Sequence, residues 1–217
     1  IRERLFANGE RLNIGDVLVV SRNNYSDNTM HLFNGQIVSV VSCDPCVESR
    51  QVSFNTEEMG LPIVKRVNLV FRKTVIKTDC NQERTILLLD NFLDCDINPR
   101  YLHQAMVVDF EKRNPEVKPK TIEYATAIRR DPYYNALLCK YGYAITCHKA
   151  QGGEWDNVFI DFSCFSSNSN SMFFRWAYTA ITRSSKKLWH LASPNLSALS
   201  KLVYKPIVTG GAASVAI

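Results

Sequence analysis

Long apolar runs are missing from this 217-residue chain: no tract is apolar and long enough to span a bilayer as a helix, which excludes a helical membrane-embedded role. A large excess of one charge is missing too. With 26 Lys and Arg against 21 Asp and Glu the net charge is only +5, which permits contact with a polyanion but falls short of the basic footprint of a dedicated nucleic-acid binder. Histidine is scarce, at four residues, and the seven cysteines are odd in number and spread from Cys43 to Cys164. That pattern argues against a disulfide framework and for reduced thiols in a cytoplasmic protein. Cys43-Asp-Pro-Cys46 has ligand spacing for zinc, with His31 as a third candidate, but no second Cys or His pair at suitable spacing accompanies it, so it reads as a turn and no metal site is expected. No internal repeat or signal peptide is visible.

What is present is an ordinary globular composition, 46% hydrophobic and 22% charged, with a length that suits one or two domains. Residues 13–90 read as short strands whose spacing predicts a small antiparallel barrel. Asn34-Gly35 is predicted to be a type I′ hairpin turn, which needs positive φ at both positions. From residue 98 the period changes. Asn98-Pro99 is an N-cap followed by proline at N1, and Leu102, Met106 and Phe110 then recur along one helical face. Lys112 to Lys120 is expected to be a surface loop. Asp131-Pro132 predicts a second helix, with Tyr133 and Leu137 on one face and Gly142 ending it in the left-handed conformation. From Tyr143 the pattern becomes strand, turn, strand, helix, strand, an α/β signature: Tyr143 to Thr146, Asn157 to Phe162, a helix over Phe173 to Thr182, and Lys187 to Ala192. Ser193-Pro194 predicts a last helix with Leu196, Leu199 and Val203 on its inner face, and Thr209 to Ile217 an irregular tail.

Two segments carry residues suited to phosphate chemistry, Tyr143-Ala-Ile-Thr-Cys-His-Lys-Ala-Gln-Gly-Gly-Glu154 and Trp176-Ala-Tyr-Thr-Ala-Ile-Thr-Arg183. In α/β proteins ligands gather at the carboxyl ends of strands, and the first segment is expected to lie at such an end. Gly152 and Gly153 would let the backbone approach a phosphate or ribose, His148 and Lys149 could meet a polyanion, and Glu154 could accept from a sugar hydroxyl. Arg183 ends an apolar helix expected to pack through Phe174, Trp176, Ala177, Ala180 and Ile181. A rigidly held guanidinium can bind phosphate oxygens bidentately, whereas an arginine at a helix C-terminus often only complements the dipole.

Together these segments resemble motifs V and VI of superfamily 1 helicases, most closely the RecD-like branch typified by the exodeoxyribonuclease V alpha subunit. Ala144 to Glu154 is similar to motif V, with Ala150 where serine is usual, and Tyr178-Thr-Ala-Ile-Thr-Arg183 resembles motif VI without departure. Gly15-Asp-Val-Leu-Val-Val-Ser-Arg-Asn-Asn-Tyr25 and Leu32-Phe-Asn-Gly-Gln36 resemble the start of the small SH3-like barrel inserted in the second RecA-like domain of these enzymes. The resemblance implies an α/β fold: an incomplete second RecA-like, P-loop NTPase-type domain with that barrel inserted. Residues 1–12 would end a helix of the truncated RecA-like domain, 13–90 form the barrel, 91–142 a helical connection, 143–208 the domain with motifs V and VI, and 209–217 a disordered tail.

The resemblance further implies that Gln151, Gly152, Glu154 and Arg183 face ATP, with Arg183 as the catalytic finger on the γ-phosphate and Glu154 near the ribose. Thr146, His148 and Lys149 would touch single-stranded DNA, and Gln151 could relay nucleotide state to the strand. One departure bears on activity. The chain holds no Gly-x-x-x-x-Gly-Lys-Ser/Thr phosphate loop and no acidic strand end for magnesium, both of which belong to the first RecA-like domain. The expectation is therefore a C-terminal fragment of an ATP-dependent helicase, inactive alone, whose ATP, Mg2+ and N-terminal RecA-like domain are met in the full-length polypeptide. A non-catalytic binding module on a helicase-like scaffold and an RNA helicase of the same superfamily stay open as alternatives.

Overall fold

The structure is a computed structural model that describes residues 10–25, 31–94, 97–164 and 171–192. The chain divides into two compact units, Ile1–Ile145 and Thr146–Ile217. The predicted first helix end, the predicted helix after Ser193 and the predicted tail lie outside the described residues.

The first unit is built on a six-stranded antiparallel sheet of β1 (Val17–Val20), β2 (Ile37–Cys43), β3 (Glu48–Glu58), β4 (Leu61–Thr78), β5 (Glu83–Leu89) and β6 (Cys139–Tyr141). The order runs β3-β4-β2-β1-β6, with β5 on β4 as well. The sheet curls until its ends meet. Leu137 bridges Leu88 in parallel, and the same segment continues into β6, which pairs with β1. Closure satisfies edge groups that would otherwise be unpaired.

β4 serves two cores, and its sequence shows how. Val67, Leu69 and Phe71 are buried on its odd face, whereas Thr74, Ile76 and Thr78 are buried on its even face. Because successive side chains point to opposite sides of a strand, the change of parity hands the strand from one core to the other. The odd face packs with Leu102, Ala105 and Met106, and the even face with Leu18, Val38, Ile86 and Leu88 inside the curled sheet. At the changeover Arg72 donates to buried Asp90 at 2.6 Å and to the Asp44 carbonyl at 2.7 Å.

The first of those cores is covered by α1 (Pro99–Arg113), which starts as predicted, the Asn98 side chain accepting from the Arg100 N–H. Leu102, Met106 and Phe110 are all buried. Two expectations are corrected beyond it. The helix is α2 (Ile122–Arg130), capped by the Thr121 hydroxyl, and not the segment after Asp131. Asp131 instead binds Arg113 through two hydrogen bonds, at 2.6 and 2.8 Å, and turns the chain by accepting from the Tyr134 N–H. Residues 136–139 then alternate into the sheet's two cores, so strand pairing overrides the helical spacing of Tyr133 and Leu137. Gly142 accordingly ends no helix and has no left-handed φ. Its missing Cβ lets the chain lie against β1, where an added carbon would come within 2.9 Å of Val17.

The turn chemistry is also redistributed. At Asn34-Gly35 only Gly35 has positive φ, and Leu32 bridges Asn24 rather than β2, so the pair makes a turn without closing a type I′ hairpin. That role falls to Met59-Gly60, φ +52° and +77°, between Glu58 and Leu61 of the long β3–β4 hairpin.

The second unit is an α/β arrangement: β7 (Trp155–Asp161) and β8 (Ser184–Leu191) pair in parallel and are joined through α3 (Ser171–Ile181). Its core is Ile160, Phe162, Phe173, Ala177 and Ala180. Phe173 rather than Phe174 is the inward ring, since it lies four and seven residues before Ala177 and Ala180; Phe174 and Ile181 are exposed. No helix among the described residues is long and apolar enough to cross a membrane.

Candidate nucleotide and nucleic-acid site

The expected strand over Tyr143 to Thr146 is absent. β6 ends at Tyr141, and Tyr143 belongs to the first unit, where its hydroxyl bonds Asp16 at 2.7 Å. No parallel strand therefore delivers residues 146–154 to a carboxyl end. They form instead a tight run of turns immediately before β7. Lys149 and Ala150 donate to the Thr146 carbonyl at 2.9 and 3.1 Å, and Gly153 donates to Ala150 at 3.1 Å. Ala150 is buried at the centre, and Gly152 leaves the turn at φ +83°, a conformation glycine adopts without strain. A Cβ at Gly152 would meet nothing within 4 Å, so its backbone is open to approach.

Arg183 joins this loop to the end of α3. Its Nε donates to the Thr179 carbonyl at 3.0 Å, one terminal nitrogen to the Gly153 carbonyl at 3.1 Å and the other to the Thr182 hydroxyl at 3.0 Å. The backbone adds a second tie, the Trp155 N–H donating to the Arg183 carbonyl at 2.9 Å. The guanidinium thus satisfies a carbonyl at the helix C-terminus and complements its dipole, as arginines at that position do. It does more by reaching across to the loop. Of five guanidinium N–H groups three are used, and one on each terminal nitrogen remains, the number a bidentate phosphate contact needs.

Trp155 fixes the geometry of that reach. A Cβ at Gly153 would lie under 3.0 Å from three atoms of the Trp155 indole, so the ring occupies the space a side chain would take and defines where the Gly153 carbonyl sits. Cys147 completes the seam, its thiol donating to the Trp176 carbonyl at 3.5 Å. Burial pushes the Cys147 thiol up, against the opposing charge of Arg183, so this thiol is not an activated nucleophile. Gly153, Trp155 and Cys147 were not singled out for these roles from the sequence; a glycine doublet followed by tryptophan was the available signal.

The remaining predicted site residues surround this seam without joining it. Thr146, His148, Gln151 and Glu154 are exposed, and Lys149 is half-buried. Glu154 makes no ion pair among the described residues. The side chains of Thr146 and His148 are thus open to a ligand, and that of Lys149 partly so.

Cys43 and Cys46 are free thiols at a turn, the Cys46 N–H bonding the Asp44 carboxylate at 2.9 Å, and His31 packs against Tyr25. Among the described residues no three His, Cys, Asp or Glu side chains converge where they could hold a metal ion. His103 bonds the Tyr134 hydroxyl, and His190 packs on Phe162.

Residues 141–190, less than a quarter of the chain, match the family described as the UvrD-like helicase C-terminal domain. No curated protein matches the chain. The family match supports a superfamily 1 helicase C-terminal region, and with it a helicase-type association with nucleic acid, for the segment that contains both the 146–154 loop and Arg183.

Proposed function

We propose that this chain supplies the second motor domain of a RecD-like, superfamily 1 DNA helicase, one that moves along single-stranded DNA and unwinds duplex by hydrolysing ATP. The observation that carries the reading is the Arg183 guanidinium spanning the end of α3 and the Gly153 carbonyl, with two N–H groups left to donate, inside the segment that matches the helicase family. In this reading residues 143–208 are RecA-like and the curled sheet is the SH3-like insertion. Arg183 meets the γ-phosphate, Gly152 offers an open backbone, and Glu154 accepts from the ribose. Thr146, His148 and Lys149 hold the strand, and Gln151 lies between the two surfaces. A DNA repair or recombination role would follow from kinship with the exodeoxyribonuclease V alpha subunit.

The chemistry assigned to this chain is charge stabilisation. Arg183 is rigid because its helix is anchored by Phe173, Ala177 and Ala180, and a preorganised guanidinium stabilises charge developing on a transferred phosphoryl group by about 10³ to 10⁵ in rate. The described residues do not by themselves fit a magnesium site, since no acidic cluster faces the seam, so no step here is routed through the metal. The phosphate loop and metal ligand fall to another part of the full-length protein.

The test is DNA-stimulated ATP hydrolysis by the full-length protein. Arg183→Ala is expected to lower turnover by about 10³ with little change in ATP affinity. The 217-residue chain alone is expected to show no turnover. Full activity in Arg183→Ala, or turnover by the isolated chain, would sink the reading.

A further inference from the structure

We infer that the outer edge of β3 binds an extended segment of a protein partner as an added antiparallel strand. The edge lies in the first unit, on elements that the proposed motor chemistry does not use.

The direction of each backbone group follows from the ladder. The Asn91 side chain accepts from the Val70 N–H at 3.1 Å and donates to the Asn68 carbonyl at 2.7 Å, so the even-numbered residues in this part of β4 turn their backbone groups away from β3. Its odd-numbered residues face β3 instead, where they pair with Glu48, Arg50, Val52, Phe54, Thr56 and Glu58. Ser49, Gln51, Ser53, Asn55 and Glu57 therefore present N–H and C=O outward, one residue about every 6.8 Å. All five are exposed. Among the described residues the one hydrogen bond to these outward groups is from the Gln104 side chain to the Asn55 carbonyl, at 3.3 Å.

The two edges of the β3–β4 hairpin differ in protection. On the β4 edge Pro62 has no N–H to offer, and Asn91 caps Asn68 and Val70. β3 has neither device. It holds no proline or lysine, it pairs with β4 from Glu48 to Glu58 without a bulge, and its Arg50 is turned inward onto Asp109 at 3.0 Å. Natural sheets blunt long edges with such features, so an edge of 11 residues without them is suited to pairing. α1 runs antiparallel beside it, with Tyr101 bonded to Glu58, Gln104 to Asn55 and Asp109 to Arg50. An edge flanked by a helix along its length offers an added strand main-chain bonds and side-chain contacts together.

Charge selects the occupant. Residues 51–56 are uncharged, whereas Glu57 is exposed near the end of the edge with no ion pair among the described residues. A second copy of β3, paired antiparallel about Ser53, would set Glu48 opposite Glu58, and like charges directly opposite are destabilising. The complementary strand has uncharged, β-branched residues and a lysine or arginine near its amino end, opposite Glu57.

The probe is a labelled peptide, Lys-Val-Thr-Val-Thr-Val-Thr, titrated with the 217-residue chain and followed by fluorescence anisotropy and by residue-resolved amide hydrogen exchange. Exchange should slow at Gln51, Ser53 and Glu57 and stay unchanged at Val52, Phe54 and Thr56, whose N–H groups already face β4. Ser53→Pro removes one outward N–H and no hydrogen bond of the fold, and should weaken binding about ten-fold. Glu57→Lys should weaken it about two- to five-fold and favour instead a peptide with glutamate in place of the lysine. If Ser53→Pro fails to fold, the wild-type exchange pattern and the Glu57→Lys charge swap decide. No slowing with peptide at about 1 mM, or equal slowing at outward and inward amides, overturns the added strand. Slow exchange at the outward amides without peptide, lost on dilution, would assign the edge to a second copy. Slowing by oligothymidine and not by peptide would assign it to nucleic acid, and either result overturns the protein partner.

Discussion

The guanidinium of Arg183 lies 3.1 Å from the carbonyl of Gly153, thirty residues earlier in the chain, and the Trp155 indole fills the space beside that glycine. This one contact ties the end of α3 to the turn before β7. It also holds Arg183 on protein carbonyls, so a phosphate would have to meet the two N–H groups left over or displace Gly153.

Gly153→Ala should destabilise the chain by about 1–3 kcal/mol through overpacking against the indole, since Gly153 has no left-handed φ to make the penalty conformational. Thermal unfolding of the four members of a Gly153→Ala, Trp155→Ala cycle measures it. In the Trp155→Ala background the added methyl should cost almost nothing, and an unchanged cost would rule out the ring as its cause.

Lys149→Ala in the full-length protein should weaken single-strand binding and reduce the slope of log affinity against log salt by about one. Equilibrium titrations at several salt concentrations give both quantities. Unchanged affinity and slope would count against a strand contact at this loop.

The Asp131–Arg113 pair predicts an acid limb. Burial acts to raise the Asp131 carboxyl, but hydrogen bonds from Arg113 and the Tyr134 N–H outweigh it and hold it below the usual range. A folded-state value below the unfolded one adds stability that is complete above about pH 4 and is lost as pH falls through the folded value. Urea unfolding of wild type and Asp131→Asn at pH 7 and pH 3 checks this. The substitution should cost about 2–3 kcal/mol at neutral pH, a figure reduced because Arg113 is partly solvated, and less at pH 3.

Met59→Asn should stabilise the first unit. Met59 is fully exposed at φ +52°, so no packing is lost, and asparagine tolerates the left-handed region better than methionine. The gain expected is about 0.5–1 kcal/mol, seen as a rise in Tm of about 1–4 °C. A fall in Tm would show that the Met59 side chain contributes something the exposed turn does not reveal.

Much of this was legible in the sequence because it is local. Asn98-Pro99 and the Leu102, Met106, Phe110 spacing specify α1, since cap and face are both set within a few turns. The alternation around β7 and β8 with a helix between specifies a parallel pair. The segment after Asp131 misled because its helical spacing and its strand pairing use the same residues, and only contact with β1 and β5 decides between them. The site followed the same rule. Arg183 and the glycine doublet were visible as residue types, but the choice of Gly153 over Gly152 for the contact depends on where the Trp155 ring lies.

By itself, the sequence determined which residues carry charge, where helices can start, and that residues 146–154 and 178–183 hold groups suited to phosphate. Tertiary structure decided the rest: that β4 divides its faces between two cores, that residues 137–141 close the sheet, and that Arg183 rests on Gly153. The physical reason is that periodicity and capping are short-range, whereas strand closure and a guanidinium's choice of carbonyl depend on groups distant in the chain that only folding brings within hydrogen-bonding distance.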